Sequence, residues 1–580
     1  MHLKVLSRFL FGPRYKRDGS DPTDLAIINA KVVTSDPENP RAKAVAVKGG
    51  LIAYVGGDRG IADHIGPDTR IIDARGRILT PGFVDNHCHL LWVGALRPLM
   101  TTALYECNSL EEVSSCVTDY ATEQSDMPFV MCMGFRYDYI PGGEPTKEML
   151  DEIVDDRPVI LWSHGAHSGW LNTPALELME KRNPTAFHRM TPMVDPETGE
   201  YTGMLFHFWF INPLEFFSWD ELPPQTREKM LQGMEEILDE ALAVGVTTID
   251  DVMIHKPFVP MVLEFRDRGG FERSRARATY YINHYALEDE EGFKANLRWW
   301  RELGEKESDS RLILGSSVKL GIEGIFENHT ALLLEPYSDR PSFFGEATWS
   351  QEDFDRLVEI IDTMGIQCCT HAIGDGGIRM VVNTYEKILN RNGKRPYPLR
   401  VDHNELPDPA EIERMGRLGI HAAMQPAHFF GDESREKALG PQRLKRVMPW
   451  KSLEDTGVEL SFGSDACAGP INPVYGLLIS ATRLNYKLDT DWGREERISL
   501  EDGIRHWTLD SAKALALEDK IGSIEVGKYA DLVLFNTNPL KLDSWWFLLT
   551  HKLELGAMDD FVDMTMVGGE VVYRKDGARL

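Results

Sequence analysis

The chain has 580 residues, of which 42% are hydrophobic and 27% are charged, a composition typical of a globular enzyme with room for more than one domain. Its 63 Lys and Arg against 91 Asp and Glu give a formal net charge of −28, which argues against a nucleic acid or an anionic membrane surface as a partner. The 7 cysteines are odd in number and scattered, which indicates a reducing compartment and not a disulfide framework.

Residues 1–23 are predicted to form an N-terminal extension. The segment is basic and has a short apolar run at Phe9–Phe11, but it lacks the apolar length and the small-residue cleavage site of a signal peptide. No later stretch has the roughly 18 consecutive apolar residues that a membrane helix requires. We therefore expect a soluble, cytoplasmic protein.

Residues 24–78 contain short predicted strands, in which apolar and polar residues alternate, separated by glycine-rich turns. Residues 520–580 show the same pattern. Because these two β-rich ends flank a long middle region, we predict that they form one small composite β-sandwich domain.

Residues 79–519 alternate strands with helical patterns, which predicts an α/β fold, a (β/α)8 TIM barrel. The eight predicted barrel strands cover residues 82–89, 247–252, 276–282, 312–320, 366–371, 399–403, 420–424 and 458–463. Residues from about 95 to 222 are too many for one crossover, so we predict an insertion after the first barrel strand. In such barrels an insertion at this point covers the C-terminal face, where active sites lie.

The first predicted strand ends in His87-Cys88-His89. Successive side chains of a strand point to opposite faces, so the two histidines share a face and Cys88 points away. Two imidazoles side by side suit a divalent metal, although two ordinary histidines at a strand end would look the same.

Four other polar residues follow the apolar runs of later strands: Lys319, His371, His403 and Asp465. Taken singly, a lysine reaches solvent, a histidine hydrogen-bonds within a core, and an aspartate after Gly-Ser forms a cap or turn. Together these interpretations fail, because a barrel brings all four residues to one mouth, where uncompensated polarity is costly. A metal centre would satisfy every group at once.

Five segments carry a resemblance to a known family: Pro81–His89, Val318–Leu320, Thr370–Asp375, Asp402–Glu405 and Gly463–Ala466. They resemble the amidohydrolase superfamily, and more narrowly its amidohydrolase-3 branch, which contains N-substituted formamide deformylase. Gly165–Asn172 and Gly522–Leu532 add to the resemblance, which extends from about Asp24 to Tyr573.

The resemblance implies a site with two zinc ions, with manganese or iron as alternatives. It implies that His87 and His89 bind one metal, that His371 and His403 bind the other, and that a carboxylated Lys319 bridges them. Asp465 would ligate the first metal and shuttle protons. The chain departs from the common pattern at Glu323, where the family often has Asp, and at Asp402, where it often has Glu. Both departures are expected to alter the surroundings of the ligands.

The implied activity is hydrolysis of an amide or related non-peptide C–N bond of a small molecule by metal-activated hydroxide. Decarboxylation, hydration or isomerisation on the same fold remain alternatives, as does, with less support, a non-catalytic interaction protein. Dimers are common among members of the superfamily, so a homodimer is a further expectation.

The predicted insertion is rich in aromatic residues, notably Phe206–Phe210, Phe216, Phe217 and Trp219. Such clusters usually form a core, but over a barrel mouth they would favour an apolar or aromatic substrate. The candidate substrate-binding residues are His167, Trp92, Arg136, Gln425 and His428.

Overall fold

The structure is a computed structural model that describes residues 22–164, 168–206, 214, 216–429, 433–466, 468–484, 492–544 and 558–579. The strands of these residues are β1 Leu25–Ile28, β2 Lys31–Val33, β3 Arg41–Ala42, β4 Ala44–Lys48, β5 Leu51–Gly56, β6 Arg70–Asp73, β7 Ile78–Pro81, β8 Phe83–Cys88, β9 Val130–Phe135, β10 Val159–Ser163, β11 Ser168–Leu171, β12 Pro192–Val194, β13 Tyr201–Phe206, β14 Val246–Ile254, β15 Arg275–Tyr281, β16 Leu312–Ile313, β17 Ser317–Gly321, β18 Gln367–Ala372, β19 Arg400–His403, β20 His421–Met424, β21 Leu460–Phe462, β22 Leu532–Phe535, β23 Val562–Val567 and β24 Glu570–Arg574.

The α-helices of the same residues are α1 Leu90–Leu96, α2 Leu110–Glu123, α3 Lys147–Asp151, α4 Thr173–Arg182, α5 Pro184–Arg189, α6 Pro224–Ala243, α7 Val259–Asp267, α8 Glu290–Glu307, α9 Gln351–Thr363, α10 Asp375–Asn392, α11 Pro409–Leu418, α12 Glu433–Leu444, α13 Trp450–Asp455, α14 Pro473–Thr482, α15 Leu500–His506 and α16 Leu509–Ala514. Among these helices, none combines the length and the apolar character needed to cross a membrane.

The chain divides into two compact units. The first unit comprises Met1–Leu90, Asp239–Ile254 and Phe271–Leu580, and the second comprises Leu91–Leu238 and His255–Gly270. The predicted insertion, residues 95–222, falls within the second unit.

The first unit contains a parallel sheet in the order β21-β20-β19-β18-β17-β15-β14-β8, with β16 paired to β15. Beyond β21 the Asp465 N–H donates to His87 O (2.8 Å) and the His89 N–H donates to Ala466 O (2.7 Å), so the two outer strands come together and nearly close the sheet. The predicted (β/α)8 TIM barrel is thereby confirmed, and each predicted strand overlaps an observed one. Every residue of β8, β14, β19 and β20 is buried, as parallel strands covered on both faces require.

Two further sheets lie in the first unit. One has the order β5-β4-β1-β6, and the other, β24-β23-β22-β7-β2-β3, combines strands from both ends of the chain. Side chains from both sheets share one buried cluster, for example Ile27 and Val45 with Leu532 and Met564. Both sheets belong to the same compact unit as the barrel, and their assignment to a separate domain stays a prediction.

The second unit is built on the sheet β12-β13-β11-β10-β9. Its core cluster includes Val117, Phe135, Leu161 and Trp170. Of the aromatic residues singled out in the sequence, Phe216 and Trp219 are buried, Phe206 is 42% exposed, and residues 207–210 lie outside the described part of the chain.

Candidate metal centre

The predicted ligands lie at the C-terminal ends of the barrel strands. His87 is on β8, Lys319 on β17, His371 on β18 and His403 at the end of β19, while Asp465 follows β21. Since parallel strands of a barrel end on the same face, residues far apart in the sequence meet there.

Asp465 is the centre of this group, and its carboxylate faces four imidazoles. Its Oδ1 lies 2.9 Å from His89 Nε2 and 3.6 Å from His87 Nε2. Its Oδ2 lies 3.4 Å from His428 Nε2 and 3.9 Å from His403 Nδ1. All five side chains are buried, so the single carboxylate links histidines from β8, from the end of β19 and from the segment after β20.

Lys319 lies on the other side of His87. Its buried ammonium donates to Asp402 Oδ2 (2.5 Å) and lies 3.5 Å from His87 Nδ1. Asp402 Oδ2 is also 3.0 Å from His87 Nδ1, and Arg400 donates to both Asp402 oxygens (2.7 and 3.1 Å). Asp402 therefore fixes the ring of His87 and the position of Lys319 together, a role that its place in the sequence motif does not reveal.

His371 lies beside His403, with 4.3 Å between the ring centroids, and its Nε2 is 3.2 Å from Gly324 O. The loop that supplies this carbonyl is held by Glu323, which accepts hydrogen bonds from the backbone N–H groups of Leu332, Ile373 (2.6 Å) and Gly374 (2.8 Å). The departure noted at Glu323 thus acts on the loop that contacts His371.

Glu405 is a buried member of the site that the sequence did not single out as a functional residue. Its Oε1 lies 3.4 Å from His428 Nδ1, and its Oε2 lies 3.2 Å from the guanidinium of Arg435. Arg435 also donates to Glu327 Oε1 (2.5 Å). The available signal was that Glu405 ends the Asp-His-Asn-Glu segment.

The backbone is left-handed at three residues of this region: φ is 72° at His403, 48° at Asn404 and 52° at Asp465. Non-glycine residues adopt this conformation at a cost of about 1–2 kcal/mol each, and such strain is concentrated at functional sites. The strain accordingly falls on two of the predicted ligands.

Burial sets the protonation of the ligands. It lowers the pKa of His87 and of His371 to about 4, with a further contribution from the charge of Lys319, and it holds the pKa of His403 well below its ordinary value. Burial opposes ionisation of Asp465, but the neighbouring His87 and His89 outweigh it and hold the pKa of Asp465 well below its ordinary value. Neutral imidazoles and an ionised carboxylate are the forms that bind metals.

These residues fit a metal ion. One donor atom each of His87, His89 and Asp465 lies within 4.8 Å of the other two, and the same holds for His403, Glu405 and His428. Among the described residues, the buried Nδ1 of His403 has no hydrogen-bond partner, an arrangement that is costly unless a ligand occupies it. Imidazole and carboxylate donors suit zinc best, and manganese and iron also accept them.

The remaining predicted residues are spread over the chain. His428 and the buried Gln425 lie beside the site, and the backbone N–H of His428 donates to the backbone carbonyl oxygen of Gln425 (2.9 Å). Trp92 and Arg136 belong to the second unit, where Arg136 pairs with Asp138 (3.1 Å). His167 lies outside the described residues.

Comparison with known proteins gives consistent matches along the chain. A family model described as the amidohydrolase family matches residues 70–573. Protein LONG AFTER FAR-RED 3 of Arabidopsis thaliana is 28% identical over 95% of this chain and 91% of its own length. N-substituted formamide deformylase of Arthrobacter pascens is 24% identical over 89% of this chain and 94% of its own length. The crystal structure of an uncharacterized metal-dependent hydrolase from Pyrococcus horikoshii OT3 shares the fold, with a TM-score of 0.68 and 22% identity over 89% of this chain and 98% of that one.

Proposed function

The chain belongs to the amidohydrolase family and is a hydrolase, and we propose that it cleaves an amide or related C–N bond of a small molecule at the metal centre described above. The observation that carries this proposal is the Asp465 carboxylate, which faces His87, His89, His403 and His428 at the C-terminal end of the barrel. The proposed bond class agrees with the name of the formamide deformylase relative.

The proposed ligands are His87, His89 and Asp465 for one metal and His371 and His403 for a second, with zinc as the preferred ion. A divalent metal, when bound, supplies the Lewis acidity that lowers the pKa of water and polarises a carbonyl group. Asp465 then accepts the proton of the attacking water on a carboxylate oxygen and delivers it to the leaving nitrogen.

Lys319 is proposed to be carboxylated: its ammonium loses one proton to become an amine, and the amine nitrogen forms a bond to the carbon of CO2 and loses a second proton. This change would replace a buried cation beside His87 by an anion, whose charge a bound divalent metal would balance. Asp402 keeps two hydrogen bonds from Arg400 (2.7 and 3.1 Å) when the charge of Lys319 is lost. Because buried charges must stay paired, Arg400 would keep the carboxylate of Asp402 paired after this change.

Gln425 and His428 are the proposed substrate contacts of the first unit. His428 already faces Asp465 Oδ2 at 3.4 Å, and Gln425 is buried, its Oε1 having no hydrogen-bond partner among the described residues. An apolar or aromatic substrate stays a proposal that rests on the aromatic-rich sequence around Phe206, because Phe216 and Trp219, both of the second unit, are buried. His167, Trp92 and Arg136 stay proposals on the sequence alone.

Metal analysis of the purified protein, together with a screen of N-formyl, N-acyl and cyclic amide substrates for released amine, tests this function. We expect at least one metal per chain and amine release from one of these classes. Asp465→Asn should reduce kcat at least about 1000-fold, while Asp239→Asn, at an exposed ion pair with Arg273, should keep full activity. Less than one metal per chain with no amine release would overturn the proposal.

A further inference from the structure

A cavity of about 200 Å³ lies in the first unit, at the end of the barrel away from the metal centre. Its walls include Thr248 near the start of β14, Ala276 near the start of β15, and Ile313 in β16. By contrast, His87, His371 and His403 of the metal centre lie within the last two residues of β8, β18 and β19, and Asp465 follows β21. The cavity is therefore a separate place in the fold, and hydrolysis at the metal centre gives it no role.

Three cationic side chains line this cavity: Arg275, Arg311 and Lys520. Arg275 is already paired, because its guanidinium donates to both oxygens of Asp531 (2.7 and 3.2 Å) and lies 4.0 Å from the centre of the Tyr529 ring. Arg311 has no such partner: within the described part of the chain its Nη1 is buried and makes no hydrogen bond.

The surroundings of Arg311 include the carboxylates of Asp531 and Asp309, but among the described residues neither accepts a hydrogen bond from its guanidinium. Asp309 also lines the cavity, but its Oδ1 accepts the backbone N–H groups of Arg311 (2.6 Å) and Leu312 (2.8 Å) and not the guanidinium. Burial and the neighbouring charge of Arg275 outweigh the nearby Asp531 and Asp309 and lower the pKa of Arg311, so its cationic form is only partly stabilised. A bound anion would stabilise it further.

Thr248 provides a second unsatisfied group. It is 1% exposed, and its Oγ1 is buried without a hydrogen-bond partner among the described residues. Arg311 and Thr248 are both residues of the cavity wall, and each has one buried polar atom, Nη1 and Oγ1, without a hydrogen-bond partner among the described residues, whereas buried polar groups are normally satisfied. Leu517 and Ile521 add an apolar surface to the same cavity.

We propose that this cavity binds a small organic anion, whose phosphate or carboxylate group meets Arg311 and Thr248 and whose apolar part packs against Leu517 and Ile521. In a chain with a formal net charge of −28, a cavity lined by three cations is a selective place for such a molecule.

Isothermal titration of the metal-loaded, full-length protein with inorganic phosphate, phenyl phosphate and benzoate, at constant ionic strength, tests the site. We expect one of the two organic anions to bind at one site per chain and more tightly than inorganic phosphate, because only they offer an apolar part. Tighter binding of phenyl phosphate than of benzoate would assign the site to phosphate esters, and the opposite order would assign it to carboxylates.

Arg311→Gln should weaken this binding at least about tenfold, because hydrogen bonds to a charged group are lost. Thr248→Val removes only the hydroxyl group and should weaken it about threefold or more, which keeps the test valid should Arg311→Gln fold poorly. Arg298→Gln removes the same charge from an exposed position of α8 and should leave the affinity within about twofold.

Anions also bind metal centres, so the titration is repeated with Asp465→Asn. Binding that survives in Asp465→Asn and is lost in Arg311→Gln supports the cavity. Binding that is lost in Asp465→Asn and unchanged in both Arg311→Gln and Thr248→Val overturns the proposal, as does the absence of binding by all three probes.

Discussion

Asp402 contacts three basic side chains of the site. It is fully buried and contacts Lys319 (2.5 Å), Arg400 (2.7 Å) and His87 (3.0 Å). We expect Asp402→Asn to lower the free energy of unfolding by about 3–5 kcal/mol, because the buried guanidinium of Arg400 then loses the carboxylate that accepts two of its hydrogen bonds. Denaturant unfolding followed by fluorescence measures this change, and metal analysis should show a lower metal content.

The matched control is Asp239→Asn, which makes the same chemical change at an exposed pair with Arg273. Exposed pairs contribute little to stability, so this variant should unfold at the same denaturant concentration as the unaltered protein. If Asp402→Asn were as stable as this control and kept its metal, Asp402 would not hold the site together.

Glu405 is expected to act on catalysis through His428. The carboxylate lies 3.4 Å from His428 Nδ1, and the other ring nitrogen faces Asp465. Glu405→Gln should reduce kcat about 10–100-fold with little change in KM and no change in metal content, since it misorients His428 without removing a ligand. Steady-state kinetics and metal analysis separate the possibilities: a loss of one metal per chain would identify Glu405 as a ligand instead.

Residues of the site differ in how far the sequence predicts them. Lys319, His371 and His403 could be predicted because Lys319 follows an apolar run and the two histidines each end a predicted strand, and a barrel brings the ends of its strands together. The ion pair between Asp402 and Lys319 could not, because it depends on the register of β17, β18 and β19, in which Lys319 pairs with Cys369 and Asp402 with His371.

The close approach of β8 to the end of β21 depends on Gly463. A Cβ placed there would lie 2.8 Å from His87 N and 2.9 Å from His87 Cβ, and neither of these atoms can move without the strand. We expect Gly463→Ala to displace His87 and lower the metal content and kcat together, by at least about tenfold. Metal analysis and kinetics on the purified variant measure both.

Gly57→Ala is the control, because a Cβ at that position meets no atom within 4 Å. It should behave as the unaltered protein does. Equal metal content and activity in both variants would mean that a small separation of β8 from the end of β21 does not affect the metal centre, and that Gly463 is not required for the site.

Helix α15 ends at a buried histidine, His506, that makes stability depend on pH. Burial opposes protonation of the ring, but hydrogen bonds with Asp510 (2.9 Å) and Glu454 (3.0 Å) outweigh it and raise the pKa of His506. A pKa that is higher in the folded state adds stability below the unfolded value, about 6.5, and this stability is lost as the pH rises through the folded value.

His506→Asn should therefore have a thermal midpoint that is lowered more at pH 6 than at pH 8, measured by calorimetry. His188→Asn, at an exposed histidine of α5, should leave the pH dependence as it is. A pH dependence that is identical in His506→Asn and the unaltered protein would show that the ring is not protonated in the fold.

At the scale of whole elements, the barrel was the most predictable part. Its strands are short apolar runs bounded by turns, and their buried parallel pairing requires that pattern. The mixed sheet β24-β23-β22-β7-β2-β3 was harder to derive, because β22 pairs with β7 across hundreds of residues and no local signal encodes such a pairing.

For the whole molecule, the distribution of the proposed metal ligands between the two compact units determines which unit metal binding stabilises. The five proposed metal ligands and Lys319 all lie in the first unit, although the chain leaves that unit at residues 91–238 and again at 255–270. A ligand stabilises only the structure that binds it, by RT ln(1 + [L]/Kd), so metal binding is expected to stabilise the first unit selectively.

Hydrogen exchange measured by mass spectrometry, with and without a chelator, tests this expectation. Removal of the metal should accelerate amide exchange in β8, β18 and β19, because His87, His371 and His403 then lose the ion that holds their strand ends together. Strands β9 and β10 of the second unit carry no proposed ligand and should exchange at the same rate in both conditions. Asp465→Asn, with weakened metal binding, should respond less to the chelator. Equal acceleration in both units would mean that the metal stabilises the two units as one cooperative structure. Unchanged exchange in all strands would mean that the metal does not stabilise the barrel.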